Sequence, residues 1–351
     1  MNISPTPPRA EIDPVNEELR AMFEHLSKGD AAYLPSKFWQ KLNERNLGQL
    51  GANGLDNFKR TVAQNYFTWV VGVRDPQFRY LLRAMTPKDW PRLLHGILPT
   101  DQSSSMPRVR QVELALFTRM LWTLARRADS LELMLEMEEP VLGNPFRIYL
   151  DGKLISQDLA NSVLEFYSIR EVFAPSPKER FTVAELGAGY GRTAHVFLKA
   201  FPRCRYIVVD IPPALYIAQY YLTRIFADRK VFRFRPFLAI DDVRSELDDA
   251  DIVFLLPHQA EMLERKCVRL FINISSLHEM TGDQIAMYLR LIGGLTEGHF
   301  YTKQWKVSLN PDDAISIRLE DYPIPGTWEQ LYLRTPKVQV SFFEAMYRVT
   351  D

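Results

Sequence analysis

Residues 181–192, FTVAELGAGYGR, decide how this chain is read. The first six form a short, near-continuous apolar run, as a strand buried on both faces does. Gly187, Gly189 and Gly191 follow at alternate positions, and 193–201 then reads as a helix. Strand, glycine turn and helix in that order bring backbone close to a ligand at the carboxyl end of the strand. A second buried strand, 205–211 (RYIVVDI), carries Asp210 at its end. A carboxylate there can accept both hydroxyls of a ribose.

The same rhythm continues downstream. Strands are predicted over 251–256, 269–275 and 300–307, with helices over 214–227 and 284–292. Near-continuous apolar strands alternating with helices indicate a parallel sheet covered on both faces. Two final strands, 329–333 and 338–348, are joined by a link around Thr335-Pro336 short enough to force an antiparallel pair at the sheet edge.

Upstream the pattern is helical from about 15 to 137, after a proline-rich lead-in over 1–14. Phe38, Trp39 and Leu42 fall at helical spacing, as do Phe58, Val62, Tyr66 and Phe67, then Trp69 and Val70. A hairpin is expected around Asp151-Gly152, and Ser156 is placed to cap a helix running to about Val172. This divides the chain into a helical N-terminal domain, 1–145, and an α/β domain, 146–351.

Lys+Arg and Asp+Glu balance at 43 each in 351 residues, which argues against nucleic acid or an anionic membrane as a bulk electrostatic partner. Cys204 and Cys267 lie far apart and show no metal spacing, as suits a reducing cytoplasmic setting. The N-terminus lacks the apolar segment of a secretory signal, and the longest apolar run, 112–124, is broken by Glu113 and Arg119. The expectation is a soluble cytoplasmic protein without a membrane span; its oligomeric state stays open. Asp241, Asp242, Asp248, Asp249 and Asp251 read as solvated, and no metal site is expected.

The turn departs from the dinucleotide fingerprint GxGxxG. Its third glycine comes one residue early, and Arg192 stands where that fingerprint wants glycine. Glu185, two residues before the first glycine, would repel a pyrophosphate and suits a cationic ligand. The spacing therefore favours S-adenosylmethionine over a nicotinamide dinucleotide.

The residues also carry a family resemblance. The relevant segments are Lys37-Phe38-Trp39; Asn57-Phe58-Lys59-Arg60 with Tyr66-Phe67; ISQDLANS at 155–162 with Glu165; ELGAGYGR; FLLPHQ at 254–259; and ISSLHEM at 274–280. The catalytic half resembles a class I methyltransferase, and the chain from about Pro35 onward resembles the sugar O-methyltransferase family. The resemblance implies a Rossmann-like sheet of seven strands, mostly parallel with the last reversed. It also implies S-adenosylmethionine as cofactor and a sugar or glycan as acceptor. Glu185, Gly187, Gly189 and Gly191 would line the methionine end, Asp210 would hold the ribose, His258 and Gln259 would border the adenine, and Ala188, Tyr190, Ile211 and Ser275 would also contact the cofactor.

Ser275, Ser276, His278 and Glu279 follow a strand at the end where ligands sit in open α/β sheets. Methyl transfer to a hydroxyl needs the proton removed, so a general base is expected. His278 is the first choice, since its ordinary pKa lies near working pH; Glu279 is the second and Asp158 the third. Gln157, Asn161 and Ser162 form a polar helix stripe suited to a hydroxylated substrate, and Gln304 ends the fifth strand on the ligand side. Tyr301 and Trp305 read as core aromatics, and Lys59, Arg60 and Arg127 as helix-face charges. Two other readings stay open: a non-sugar acceptor, and a scaffold that retains the fold without catalysis.

Overall fold

The computed structural model describes residues 14–65, 72–98, 101, 104 and 106–350. The helical spacing expected through Tyr66, Phe67, Trp69 and Val70 lies outside the described residues, as does the lead-in up to residue 13.

Eight strands form one sheet: β1 (Phe181–Leu186), β2 (Cys204–Val209), β3 (Val231–Phe232), β4 (Ile252–Leu255), β5 (Val268–Ile274), β6 (Thr296–Trp305), β7 (Glu329–Arg334) and β8 (Phe342–Arg348). Their order is β7-β8-β6-β5-β1-β2-β4-β3. The pairs from β6 to β3 are all parallel, while β8 runs antiparallel to both β6 and β7. The architecture is thus the Rossmann-like α/β sheet with a reversed last strand that was expected. It differs in two details. The strand count is eight, because the two-residue β3 is too short to leave a pattern in KVFRFRP. The reversed β8 lies inside the sheet, between β6 and β7, and β7 forms the edge.

Period-two alternation divides β1 between two cores. Val183 joins Tyr206, Val208, Leu270 and Ile272 on one face, while Ala184 and Leu186 join Ile207, Val209 and Phe271 on the other. The second face is covered by α8 (Gly282–Leu295), through Ile285, Leu289 and Ile292. The first is covered by α5 (Gln157–Arg170), α6 (Arg192–Ala200) and α7 (Ala214–Ile225).

The N-terminal helices α1 (Pro14–Leu26), α2 (Lys37–Asn53), α3 (Pro76–Ala84) and α4 (Arg108–Ala128) precede them. Leu114, Phe117, Met120 and Leu121 of α4 share one continuous core with Phe166 and Ile169 of α5 and with the sheet. Phe58 and Val62 sit in 3-10 turns, Leu55–Arg60 and Val62–Asn65, and not in the expected α-helix. Gly54, at φ 69°, ends α2 just before them. The hairpin at Asp151-Gly152 forms as read, with φ 52° and 79° at the two turn residues. No helix among the described residues is long and apolar enough to cross a membrane.

A buried charge cluster joins these layers. Glu165 of α5 is 2% exposed. It accepts from Arg192, the first residue of α6, at 2.5 Å and from Lys303 of β6 at 2.8 Å. Burial alone would raise the Glu165 carboxyl, but the two cations outweigh it and hold the group below the usual carboxylate range. Glu165→Ala leaves two desolvated cations without a counter-charge and should cost about 3–5 kcal/mol, read as a lower urea midpoint at neutral pH. A carboxyl with a depressed pKa stabilises the fold above its unfolded value and ceases to do so as pH falls through its folded value. The gap between wild type and Glu165→Ala should therefore narrow in acid.

Candidate active site

The glycine turn leaves β1 with Gly187 at φ 71°, Gly189 at 60° and Gly191 at 88°, a left-handed conformation that favours glycine. A Cβ on Gly187 would lie 2.3 Å from Ser276 Oγ, and one on Gly191 would lie 2.7 Å from Leu222 Cδ1. Asp210, at the end of β2, fixes the turn from beside it. One carboxylate oxygen accepts the Gly189 N–H at 2.8 Å and the other the Ile211 N–H at 2.7 Å.

Beside β1, the loop after β5 is organised by Gln304 of β6, which is fully buried. Its amide nitrogen donates to Asn273 Oδ1 at 2.6 Å, and its amide oxygen accepts the backbone N–H groups of Ser276 at 3.2 Å and His278 at 3.3 Å. The loop thereby presents Ser275, Ser276 and Glu279 to a cleft over the carboxyl ends of β1, β2 and β5. Gly187, Gly189, Asp210 and Ile211 form one side, and Glu279, Met280 and Tyr288 another.

The roof comes from far upstream in the chain: Tyr33, Leu34, Pro35, Ser36 and Trp39. It is latched at several points. Ser36 Oγ donates to the Glu279 carbonyl at 3.1 Å, and Gln284 donates to the Leu34 carbonyl at 2.7 Å. Asp313, from the turn between the short strands Val307–Asn310 and Ile315–Arg318, accepts the first N–H groups of α2, those of Lys37 and Phe38.

Among the described residues lining the cleft there is no Lys, Arg or His, while two carboxyls, Asp210 and Glu279, face it. Burial pushes Asp210 up to about 7, against the two backbone N–H groups that favour its charged form. Burial likewise pushes Glu279 up to about 8, against a hydrogen bond from the Trp39 side chain. Among the described residues, Glu279 Oε2 has no hydrogen-bond partner. Tyr33, Trp39 and Tyr288 supply aromatic walls.

Seven of the expected residues therefore meet at this cleft: Gly187, Gly189, Asp210, Ile211, Ser275, Ser276 and Glu279. Others lie elsewhere. Glu185 sits beneath the turn with its carboxylate on the Tyr206 hydroxyl at 2.7 Å, because strand alternation turns it toward the α5–α7 face. Ala188 and Tyr190 pack into that same core, and Gly191 lies against Leu222 there. His258 packs against His25 with ring centroids 4.8 Å apart, and among the described residues neither of its ring nitrogens has a partner. Gln259 caps its own turn, accepting the Leu256 N–H at 3.0 Å and donating to the Arg235 carbonyl at 2.9 Å.

His278 lies behind Glu279. Its Nδ1 meets the Gln304 amide oxygen at 3.1 Å, and its Nε2 is 3.6 Å from Glu279 Oε1. Burial lowers it to about 4, so it is neutral at working pH and walled off from the cleft.

The stripe on α5 is also divided. Ser162 accepts from Arg192 at 2.7 Å inside the charge cluster. Asn161 lines a separate groove with Ser168 and Arg334. Gln157 and Asp158 line a second cavity, where Asp158 accepts the Tyr190 hydroxyl at 3.1 Å. Tyr301 donates to Glu344 at 3.0 Å, and Trp305 packs on Phe342. Lys59, expected on a helix face, is instead buried and paired with Glu139. Of the acidic run, Asp241 pairs with Arg244 and Asp249 with Lys230 at the surface. The roof residues Tyr33 and Ser36 left no local signal; Trp39 entered through its helical spacing and the resemblance, and not as a site residue.

No protein-family model matches the chain, and no curated protein does. Solved structures similar to it include a SAM dependent methyltransferase from Aquifex aeolicus, 14% identical over 52% of this chain and 93% of that one, with a TM-score of 0.33. A 1,6-didemethyltoxoflavin-N1-methyltransferase from Burkholderia thailandensis is 15% identical over 55% and 79%, with a TM-score of 0.35. The magnesium protoporphyrin IX methyltransferase of Synechocystis PCC 6803 with bound SAH is 13% identical over 55% and 86%, with a TM-score of 0.39.

The raised cleft carboxyls give a pH signature. Each binds its proton more tightly folded than unfolded, so their contribution to stability falls as pH rises through the window ending near their folded values. A cationic ligand favours their ionised forms. Thermal stabilisation by such a ligand should therefore grow between about pH 6 and about pH 9, with proton release on binding at the lower end. Flat stabilisation across that range would remove these carboxyls from the binding.

Proposed function

We propose that the chain is an S-adenosylmethionine-dependent methyltransferase whose acceptor is a sugar hydroxyl. The observation that carries the donor reading is the roofed cleft over Asp210, with one buried and one partly buried carboxyl, aromatic walls and, among the described residues, no facing cation. A nucleoside carrying a sulfonium matches that charge, whereas the pyrophosphate of a dinucleotide meets Asp210 and Glu279 unfavourably. The turn also fits: Gly187 leaves no room for a side chain, and Glu279 Oε2 awaits a partner. Asp210 would hold the ribose hydroxyls, and Ile211, Tyr33 and Tyr288 offer apolar and aromatic surface for the base. The sugar acceptor rests on the resemblance at 155–165 and 274–280.

Bound in the cleft, S-adenosylmethionine supplies a methyl group on positively charged sulfur: the acceptor oxygen bonds to the methyl carbon, the carbon–sulfur pair returns to sulfur, and the hydroxyl proton must leave. Glu279 is placed to take that proton. It faces the cleft, its free oxygen is an unused acceptor, and burial raises its basicity into the working range. His278 acts behind it, neutral and held by Gln304, and orders the loop that carries Glu279. The Tyr33–Trp39 roof excludes bulk water from the charge-neutralising step.

Calorimetry with S-adenosylmethionine and S-adenosylhomocysteine tests the donor; a folded sample that binds neither would sink the reading. Transfer of a labelled methyl group to candidate glycans, read by mass spectrometry, tests the acceptor. Glu279→Gln should lower kcat by about a hundredfold or more with donor affinity largely kept, while His278→Ala costs less. A larger loss in His278→Ala would return the base role to His278.

A further inference from the structure

Arg119 of α4 is 4% exposed and has no ion pair among the described residues. Its guanidinium donates to the carbonyls of Leu93 at 2.7 Å, His95 at 2.9 Å and Gly96 at 3.0 Å, while its Nε has no partner among the described residues. An arginine keeps its charge inside a fold. Carbonyl dipoles satisfy its N–H groups but do not cancel that charge, and a buried charge is normally met by an opposite one. Burial lowers the Arg119 pKa, and the acid that acts against this, Asp151, is already paired with Arg92 and Arg126.

This cation forms part of the wall of a cavity of about 170 Å³. A second cation lines it: Arg147, whose side chain has no hydrogen bond or ion pair among the described residues. Asp101 is the acid in the wall, and Arg60 already neutralises it; it also accepts the Arg147 backbone N–H at 3.2 Å. Gln111 adds an amide oxygen that has no partner among the described residues. The wall thus carries an excess of positive charge. Its other side is apolar, built from Leu114, Ala115, Phe146 and Ile148. Leu98 and Tyr149 are exposed at the rim, so the space opens to solvent. A cavity of about 150 Å³ is large enough for a benzene ring, so this one has room for a ring of that size.

We propose that this cavity is a binding site, separate from the cleft over Asp210, for a small organic carboxylate with a ring-sized apolar body. The carboxylate meets Arg119 and Arg147, and the body packs on Leu114, Phe146 and Ile148. The two sites have no wall residue in common, so the proposal stands whether or not the cleft takes S-adenosylmethionine.

Calorimetry on the full chain with three probes at constant ionic strength tests it. Benzoate has the ring and the charge, benzamide keeps the shape without the charge, and inorganic phosphate keeps the charge without the ring. Benzoate should bind with a Kd of about 1 mM or below, about tenfold tighter than either of the others. Arg147→Gln removes a cation that has no partner in the fold, so it should melt within about a degree of wild type. It should weaken benzoate by about tenfold or more. Arg119 is left intact in the test because its guanidinium also ties the chain at Leu93–Gly96. Ala115→Leu fills the cavity from its apolar side and should abolish benzoate binding in a chain that still melts cooperatively. No binding of benzoate by the wild type at about 10 mM overturns the proposal. So does benzamide or phosphate binding as tightly as benzoate, or wild-type benzoate affinity in Arg147→Gln.

Discussion

Glu165 is the point where the layers of this protein are tied together. A carboxylate removed from water is tolerable only when opposite charges meet it, and here they come from two other elements. Arg192 opens the helix after the glycine turn, and Lys303 lies on β6, directly before Gln304. One buried anion thus sets the helix in front of the sheet, the exit from the turn, and the strand whose next residue arranges the loop carrying Glu279.

The cleft follows from the same economy of buried polar groups. Asp210 satisfies two backbone N–H groups and still faces open space, while Gln304 satisfies the loop backbone and leaves Glu279 free to point inward. The groups that fix the loop are distinct from the groups that face the cleft. This explains why His278, the more obvious base by its ordinary pKa, belongs to the support, and why Glu279, raised by burial, belongs to the cleft. Desolvation moves the two residues in opposite directions because one is charged when protonated and the other when deprotonated.

The N-terminal helices extend this plan. They share a continuous core with α5 and the sheet, so the roof over the cleft is supported by packing as well as by latches at Ser36, Gln284 and Asp313. The same region places Lys59, Thr118 and Glu139 behind Tyr190. The cleft therefore takes its roof, Tyr33 to Trp39, from residues far upstream of the glycine turn.

By itself the sequence determined what local rules control: the strand–turn–helix at 181–192, the parallel alternation behind it, the hairpin at Asp151-Gly152, the Ser156 cap and the acid at the end of β2. These depend on apolar period, glycine conformation and capping, all of which act within a few residues. The two-residue β3, the inward position of β8 and the 3-10 turns at Phe58 and Val62 escaped it, because pairing partners and a terminating glycine decide them. Only the tertiary structure settled which polar side chains face the cleft. Glu185, Gln259, His278 and Gln304 stand at positions that suggest ligand contact, yet each turns to a partner inside the protein, and His258 packs its ring on His25. Which way such a residue turns depends on the charges and burial that distant segments bring to it, and no spacing in the chain encodes that.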